Sequence, residues 1–212
     1  MLAIEFFALF VLLPTVVYCG RFRVPALPLL WLLAGYCAWV LWRNGQPADA
    51  ALLPIGIGRW LPSILIPFLI FAAAATAATY RWARADWFRL VRQQPAFWAM
   101  VMVAYPVFSV YPQAIVFRAF IFDRYHSLFP NAWLLILVSA AAFAYVHVIF
   151  RNWIAVVLSA LGGLLFAARY FQTGSLFVSC VEHSLYGCWL FTVGLGRWFF
   201  YQGQFYTAPR GS

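Results

Sequence analysis

Residues 96–122 read AFWAMVMVAYPVFSVYPQAIVFRAFIF, an apolar stretch in which Arg118 is the single charged residue. A helix needs about 20 apolar residues to cross a hydrocarbon core about 30 Å thick, so this stretch is long enough to span a membrane. Pro106 and Pro112 lie inside it. Each should bend the helix and free backbone groups, because proline has no N–H to donate to the preceding turn.

The rest of the chain has the same apolar character. Its 212 residues are 66% hydrophobic and 9% charged, which is too little charge to cover the surface of a soluble domain. We expect an all-α, polytopic transmembrane helix bundle of seven or eight spans, forming a single membrane domain over residues 1–212. Besides 96–122, the predicted spans are 3–19, 26–42, 62–80, 131–149, 153–171 and 174–200. The last of these is long enough to be two segments broken near Gly187 or Gly194.

Two connecting segments differ in composition. The stretch 43–59 contains several prolines and glycines and predicts a loop or a re-entrant segment. The stretch 81–94 interleaves arginines with tryptophan, phenylalanine and leucine, which is typical of a helix lying in the membrane interface. We expect this helix to divide variable N-terminal spans, residues 1–95, from a chemically informative core, residues 96–201.

The net charge of +9 comes from fourteen basic residues, all arginine, against five acids. Most of the arginines flank apolar stretches, where they can bind lipid head groups and set the topology. We therefore expect the lipid bilayer as a partner and no nucleic acid. The distribution of arginine among the loops favours a cytoplasmic first loop and an N-terminus outside.

Three ionisable residues within the predicted spans stand out: Arg118, His147 and His183. Such side chains are costly in a bilayer and usually pair with each other or line a site. One histidine alone is equally compatible with a core residue bonded to a backbone carbonyl, but two with a buried arginine favour a site. We predict that all three converge on one internal cavity. Each has a companion one turn away on the same helix face: Ala114, Phe143 and Gly187, respectively.

The order of three motifs resembles the CPBP family, the CAAX-protease and bacteriocin-processing intramembrane endopeptidases. The motifs are PQ-x-x-x-FR-x-F at 112–120, F-x-x-x-H at 143–147 and H-x-x-x-small at 183–187. The resemblance covers roughly residues 100 to 201 and is greatest to a bacterial branch, which implies a multi-pass protein of the bacterial inner membrane. It implies catalytic roles for position 114, Arg118, His147 and His183. Further substrate or oxyanion candidates are Gln113, Phe143, Asn152 and Gly187.

Two positions depart from the family's pattern. The first family motif is E-E-x-x-x-R, and its two glutamates correspond to Gln113 and Ala114 here. In a glutamic mechanism a carboxylate at 114 would deprotonate water, with Arg118 holding it ionised. The histidines would orient the water and donate to the oxyanion or leaving amine. Alanine cannot act as the base, so we expect this form to be inactive. Gly187 stands where many members have Asn or Asp.

Two origins of Ala114 stay open: an engineered Glu→Ala variant, or a natural pseudoprotease that binds without cutting. The otherwise intact constellation favours the first. The alternative function is a non-catalytic CPBP-like membrane binding or immunity protein. A small transporter would predict repeated halves, which the sequence lacks.

We expect no metal and no other cofactor. Two histidines lack a third convincing ligand, because Glu182 is adjacent to His183 and points about 100° away on a helix. The expected partner is a membrane-embedded or lipid-anchored peptide or protein substrate. The sequence leaves open whether that substrate is prenylated, a C-terminal sorting tail or a bacteriocin leader.

Overall fold

The structure is a computed structural model that describes residues 1–20, 25–46 and 56–199, and its regular elements in these ranges are all helical. Within these ranges seven helices are long and apolar enough to cross a membrane, which confirms the predicted all-α polytopic bundle. A short helix, α4 (Arg89–Gln93), lies between the third and fourth of them. The seven are α1 (Leu2–Cys19), α2 (Ala26–Arg43), α3 (Ile57–Trp82), α5 (Pro95–Arg124), α6 (Ala132–Phe150), α7 (Trp153–Thr173) and α8 (Leu176–Val193).

The structure refines the predicted end of α8 and corrects the predicted start of α3. Helix α8 ends at Gly194, whose φ of 103° is left-handed, and a 3₁₀ turn follows at Leu195–Phe199. Gly187 lies inside α8, so the predicted interruption falls at Gly194. Helix α3 begins at Ile57, so the prediction of a loop through Arg59 is wrong at its end. The middle of that predicted loop, residues 47–55, lies outside the described residues.

The prediction of one interfacial helix over residues 81–94 is wrong. Helix α3 continues through Trp82, turns follow, and only Arg89–Gln93 is helical. Tertiary contacts explain the turns: Asp86 binds Arg197 beyond the end of α8, and the Phe88 N–H bonds the Val193 carbonyl at 3.4 Å. These partners are distant in sequence, so local composition could not reveal them.

The two prolines in the interior of α5, Pro106 and Pro112, leave carbonyls that contact donors on neighbouring helices. Pro112 has no N–H for the Phe108 carbonyl, which accepts a hydrogen bond of 3.0 Å from Trp31 Nε1 of α2. The Met102 carbonyl, four residues before Pro106, lies 3.9 Å from Cys188 Sγ of α8. π-helical turns occupy Pro106–Val110 and Ile115–Phe120. Such turns inside α-helices often mark functional sites.

Serine side chains join α5, α6, α7 and α8. Ser139 Oγ donates to the Phe117 carbonyl at 2.6 Å, and Ser179 Oγ donates to the Phe166 carbonyl at 3.0 Å. At Gly163, α7 approaches α6 so closely that a Cβ would lie 3.1 Å from the Ala140 Cα. Small and hydroxylated residues at helix contacts are the usual means of packing in a membrane.

A buried ion pair ties α3, α7 and α8 together. Arg169 donates to both carboxylate oxygens of Glu182, with Nε–Oε2 at 2.8 Å and Nη2–Oε1 at 3.2 Å. It also donates to the Ser63 hydroxyl at 3.0 Å and the Ser63 carbonyl at 3.1 Å. The Glu182 side chain is fully buried. Because the two charges satisfy each other bidentately, the pair can stay ionised inside the bundle.

We predict that Glu182→Leu destabilises the protein by about 3–5 kcal/mol, the usual cost of leaving one member of a buried ion pair alone. Thermal unfolding in detergent micelles measures the effect. The double variant Glu182→Leu/Arg169→Met is the control and should recover most of the loss, because it removes both charges. An unchanged unfolding temperature for Glu182→Leu would show that the pair does not hold the helices together.

Candidate functional site

A cavity of about 930 Å³ lies between helices α2, α3, α5, α6, α7 and α8. This volume is within the range of small-molecule and peptide pockets. Apolar and aromatic side chains form most of its wall, and no Asp, Glu or Arg is among the described residues that line it. Its polar lining residues are Tyr105, Ser109, Gln113, His147, Ser159, His183 and Tyr186.

His147 lies on the cavity wall at the end of α6, where the helix tightens into a 3₁₀ turn. Its Nδ1 is 2.6 Å from the Phe143 carbonyl, one turn earlier. A carbonyl oxygen only accepts, so Nδ1 carries the proton and Nε2 presents a lone pair. The backbone of α6 therefore fixes both the tautomer and the orientation of His147.

His183 lies on the same wall, on α8. Its ring stacks on Phe166 of α7 with centroids 4.4 Å apart, and its Nε2 is 3.2 Å from the Tyr105 hydroxyl of α5. Its Nδ1 is buried without a hydrogen-bond partner in the described chain. Phe143 contacts both histidines, with centroids 4.7 Å from His147 and 5.5 Å from His183. The structure thus brings the two histidines together around one phenylalanine.

The rings of Phe143 and Phe166 form an aromatic layer between Arg118 and the cavity, and Arg118 does not line the cavity. Its side chain is buried, and neither Nη1 nor Nη2 has a hydrogen-bond partner within the described residues. The guanidinium carbon lies 4.5 Å from the Phe143 ring centroid and 5.4 Å from that of Phe166. Cation–π contacts stabilise a guanidinium by about 2 kcal/mol when desolvated. A buried cation normally has an acidic partner as well.

Ala114 and Gln113 occupy the turn before Arg118. Ala114 is 1% exposed and packs in the core cluster that includes Phe117 and Phe143; it does not line the cavity. Gln113 does line the cavity and donates from Nε2 to Ser109 Oγ at 2.7 Å. Its Oε1 is buried and has no partner among the described residues.

Asn152 and Gly187, two predicted contact residues, have different surroundings. Asn152 is the N-cap of α7, where its Oδ1 accepts from the Ile154 N–H at 2.9 Å, and it lies off the cavity wall. Capping accounts for this asparagine, so we leave it out of the site. Gly187 lines the cavity, and any Cβ there would overlap the ring and hydroxyl of Tyr105.

Sequence reasoning missed Tyr105 and Phe166. Both contact His183, yet the chain has 11 tyrosines and 22 phenylalanines, so composition does not distinguish them. The position of Tyr105 directly before Pro106 was the one available signal. No local pattern marks Phe166.

The acids of the described chain lie elsewhere and do not line the cavity. Glu5 binds Arg124 at 2.9 Å, Asp86 binds Arg197, Glu182 binds Arg169, and Asp123 lies in the last turn of α5. Asp49 is outside the described residues. Within the described ranges, no three His, Cys, Asp or Glu side chains come together as metal ligands would.

The segment that holds Arg118, His147 and His183 matches a known family. Residues 94–189 match the model described as Type II CAAX prenyl endopeptidase Rce1-like. This segment, a little under half of the chain, is similar to that family. The match covers α5 to α7 and most of α8, and it supports an intramembrane protease function for an integral, multi-pass membrane protein. Searches of curated proteins and of solved structures found no match.

We predict that Arg118→Met does not lower the unfolding temperature. The free energy of unfolding should stay the same or increase, by about 1 kcal/mol or more. Methionine keeps much of the volume and removes an unpaired buried charge, a change that is often stabilising. Thermal unfolding in detergent micelles measures it. The matched control is Arg169→Met, which should destabilise because it leaves Glu182 unpaired. Equal losses in both variants would mean that Arg118 has a structural partner.

Proposed function

We propose that this chain is a glutamic intramembrane endopeptidase in which Ala114 replaces the carboxylate that would activate water. The observation that carries the proposal is the guanidinium of Arg118, buried without an acidic partner in the described chain and four residues after Ala114. Residues four apart on a helix lie on neighbouring positions of one face. A glutamate at 114 would supply the missing negative charge.

With a carboxylate at 114, hydrolysis needs few further groups. The carboxylate takes a proton from water while the water oxygen bonds to the peptide carbonyl carbon, whose oxygen becomes an oxyanion. The C–N bond then breaks, and the amine leaves with that proton. His147 Nε2 can accept a hydrogen bond from the water, because its Nδ1 proton is engaged by Phe143. His183 can donate to the oxyanion.

The cavity wall favours a substrate that arrives through the lipid. Leu27, Phe108 and Leu161 line the cavity and are exposed. An accessible, apolar wall of this kind suits a membrane-embedded or lipid-anchored peptide, with the bilayer as the surrounding partner and no nucleic acid. A bacterial inner membrane is the proposed location, and neither a metal nor another cofactor is part of the proposal.

A second function is a CPBP-like binding or immunity protein that captures a peptide without cutting it. The absence of a carboxylate from the described cavity wall favours this role for the chain as it stands. The two functions differ in what Ala114→Glu does. In a parent protease the glutamate completes the site, whereas in a binding protein it adds a buried acid and no activity.

We predict that Ala114→Glu raises peptide cleavage by at least ~10²-fold, the lower end of what a general base contributes. The assay uses proteoliposomes with a fluorogenic farnesylated CAAX peptide, and in parallel a library of single-span reporter peptides co-expressed in cells. Mass spectrometry identifies the cleaved bond. The two probes separate a prenylated substrate from other membrane-tethered segments.

Ala114→Gln is the control, since it matches glutamate in size but cannot take the proton. His147→Ala and His183→Ala in the Ala114→Glu background should each remove most of the gain, because groups acting as one unit are non-additive. Equal activity of the Gln and Glu variants would refute a glutamic mechanism at this position. So would full activity of the Ala114 chain on a proven substrate.

A further inference from the structure

Tyr105, which contacts His183, lies outside the three motifs that resemble the family. The Tyr105 hydroxyl on α5 is 3.2 Å from His183 Nε2 on α8, and both residues line the cavity. It is the one hydrogen bond that either nitrogen of His183 makes within the described residues. Tyr105 is therefore the described residue that can orient His183 through a hydrogen bond.

Gly187 creates the space for this contact. It lies one turn after His183 on α8, so its side-chain position is on the same helix face. A Cβ at 187 would overlap both the Tyr105 hydroxyl and its ring. The hydroxyl thus stands where a side chain at 187 would begin, and the two positions cannot both carry a polar group there.

Aromatic packing holds the Tyr105 ring in this position. Its centroid is 5.1 Å from that of Phe191 at an interplanar angle of 72°, an edge-to-face arrangement. Phe191 is one turn after Gly187 on α8. The His183 ring, the other member of the contact, stacks on Phe166 with an interplanar angle of 20°. Packing fixes both rings, so the hydroxyl stays within reach of Nε2.

We propose that Tyr105 is the positioning residue for His183, and that Tyr105 and Gly187 together replace a hydrogen-bonding side chain at position 187. The Tyr105 O–H donates to Nε2, which places the imidazole proton on Nδ1. Nδ1 has no partner in the described chain. It is then the donor that His183 offers to the oxyanion, as an orienting bond on one ring nitrogen sets the role of the other. This proposal rests on the proposed function.

The first test needs no activity and uses the Ala114 chain itself. The protein has three histidines, so ¹⁵N-histidine labelling and solid-state NMR in liposomes give a spectrum simple enough to assign with His183→Ala. We expect His183 to be protonated at Nδ1. Tyr105→Phe should shift a large share of the proton to Nε2. The matched control is Tyr186→Phe, a tyrosine of the same wall that contacts Phe166 but not a His183 nitrogen, and it should change nothing.

The second test uses the Ala114→Glu background. Tyr105→Phe should lower kcat by about 10–100-fold with KM nearly unchanged, the range seen when the orienting partner of a metal-bound histidine is removed. Gly187→Asn should also lose activity, because its side chain meets the Tyr105 ring. Combining Gly187→Asn with Tyr105→Ala should recover part of the activity lost in Tyr105→Ala alone.

The outcomes separate this proposal from the proposed function. If Ala114→Glu is inactive but Tyr105→Phe moves the His183 proton, the positioning role stands and the protease function falls. If the His183 spectrum is the same in Tyr105→Phe, the positioning role is wrong, whatever the activity. A rise in kcat for Tyr105→Phe also contradicts it, because that is the behaviour of a blocking residue.

Discussion

Burying an unpaired guanidinium in a membrane-spanning bundle costs several kcal/mol, so such a group normally has an acidic partner or a functional role. Two other arginines show the usual solution. Arg169 binds Glu182 at 2.8 Å inside the bundle, and Arg124 binds Glu5 at 2.9 Å at the end of α5. Arg118 has two phenylalanine rings and no acid within the described residues. This lack of an acid beside Arg118 supports the proposed carboxylate at position 114 more directly than any single sequence motif does.

The same two rings connect the arginine to the histidines. Phe143 contacts Arg118, His147 and His183, and Phe166 contacts Arg118 and His183. The cation lies on one side of this layer and the cavity on the other. A carboxylate at position 114 would start on the Arg118 side of the layer, within the core cluster. The proposed mechanism therefore requires that the glutamate side chain extend past Phe117 and Phe143 to meet a water in the cavity.

Much of the fold was predictable because bilayer thickness sets helix length and leaves few alternatives. The seven spans, and the two histidines on one cavity wall, follow from apolar run length and from the cost of polar groups in lipid. The wrong prediction at residues 81–94 has a tertiary cause, because Asp86 and Phe88 bind the end of α8. Asn152 caps α7, a role that the resemblance did not suggest. Tyr105 was missed because its contact with His183 depends on the space at Gly187, a residue on another helix.

The ionisation of a carboxyl group introduced at position 114 tests the central claim most directly. The Ala114 chain has two glutamates, Glu5 and Glu182, so ¹³C-glutamate labelling and infrared difference spectroscopy of Ala114→Glu against the Ala114 chain isolate the new group. With Arg118 present we predict a carboxylate band, because the guanidinium stabilises the anion. Adding Arg118→Met should replace it with the band of a protonated acid. A protonated acid beside intact Arg118, or a carboxylate unaffected by Arg118→Met, would contradict the account.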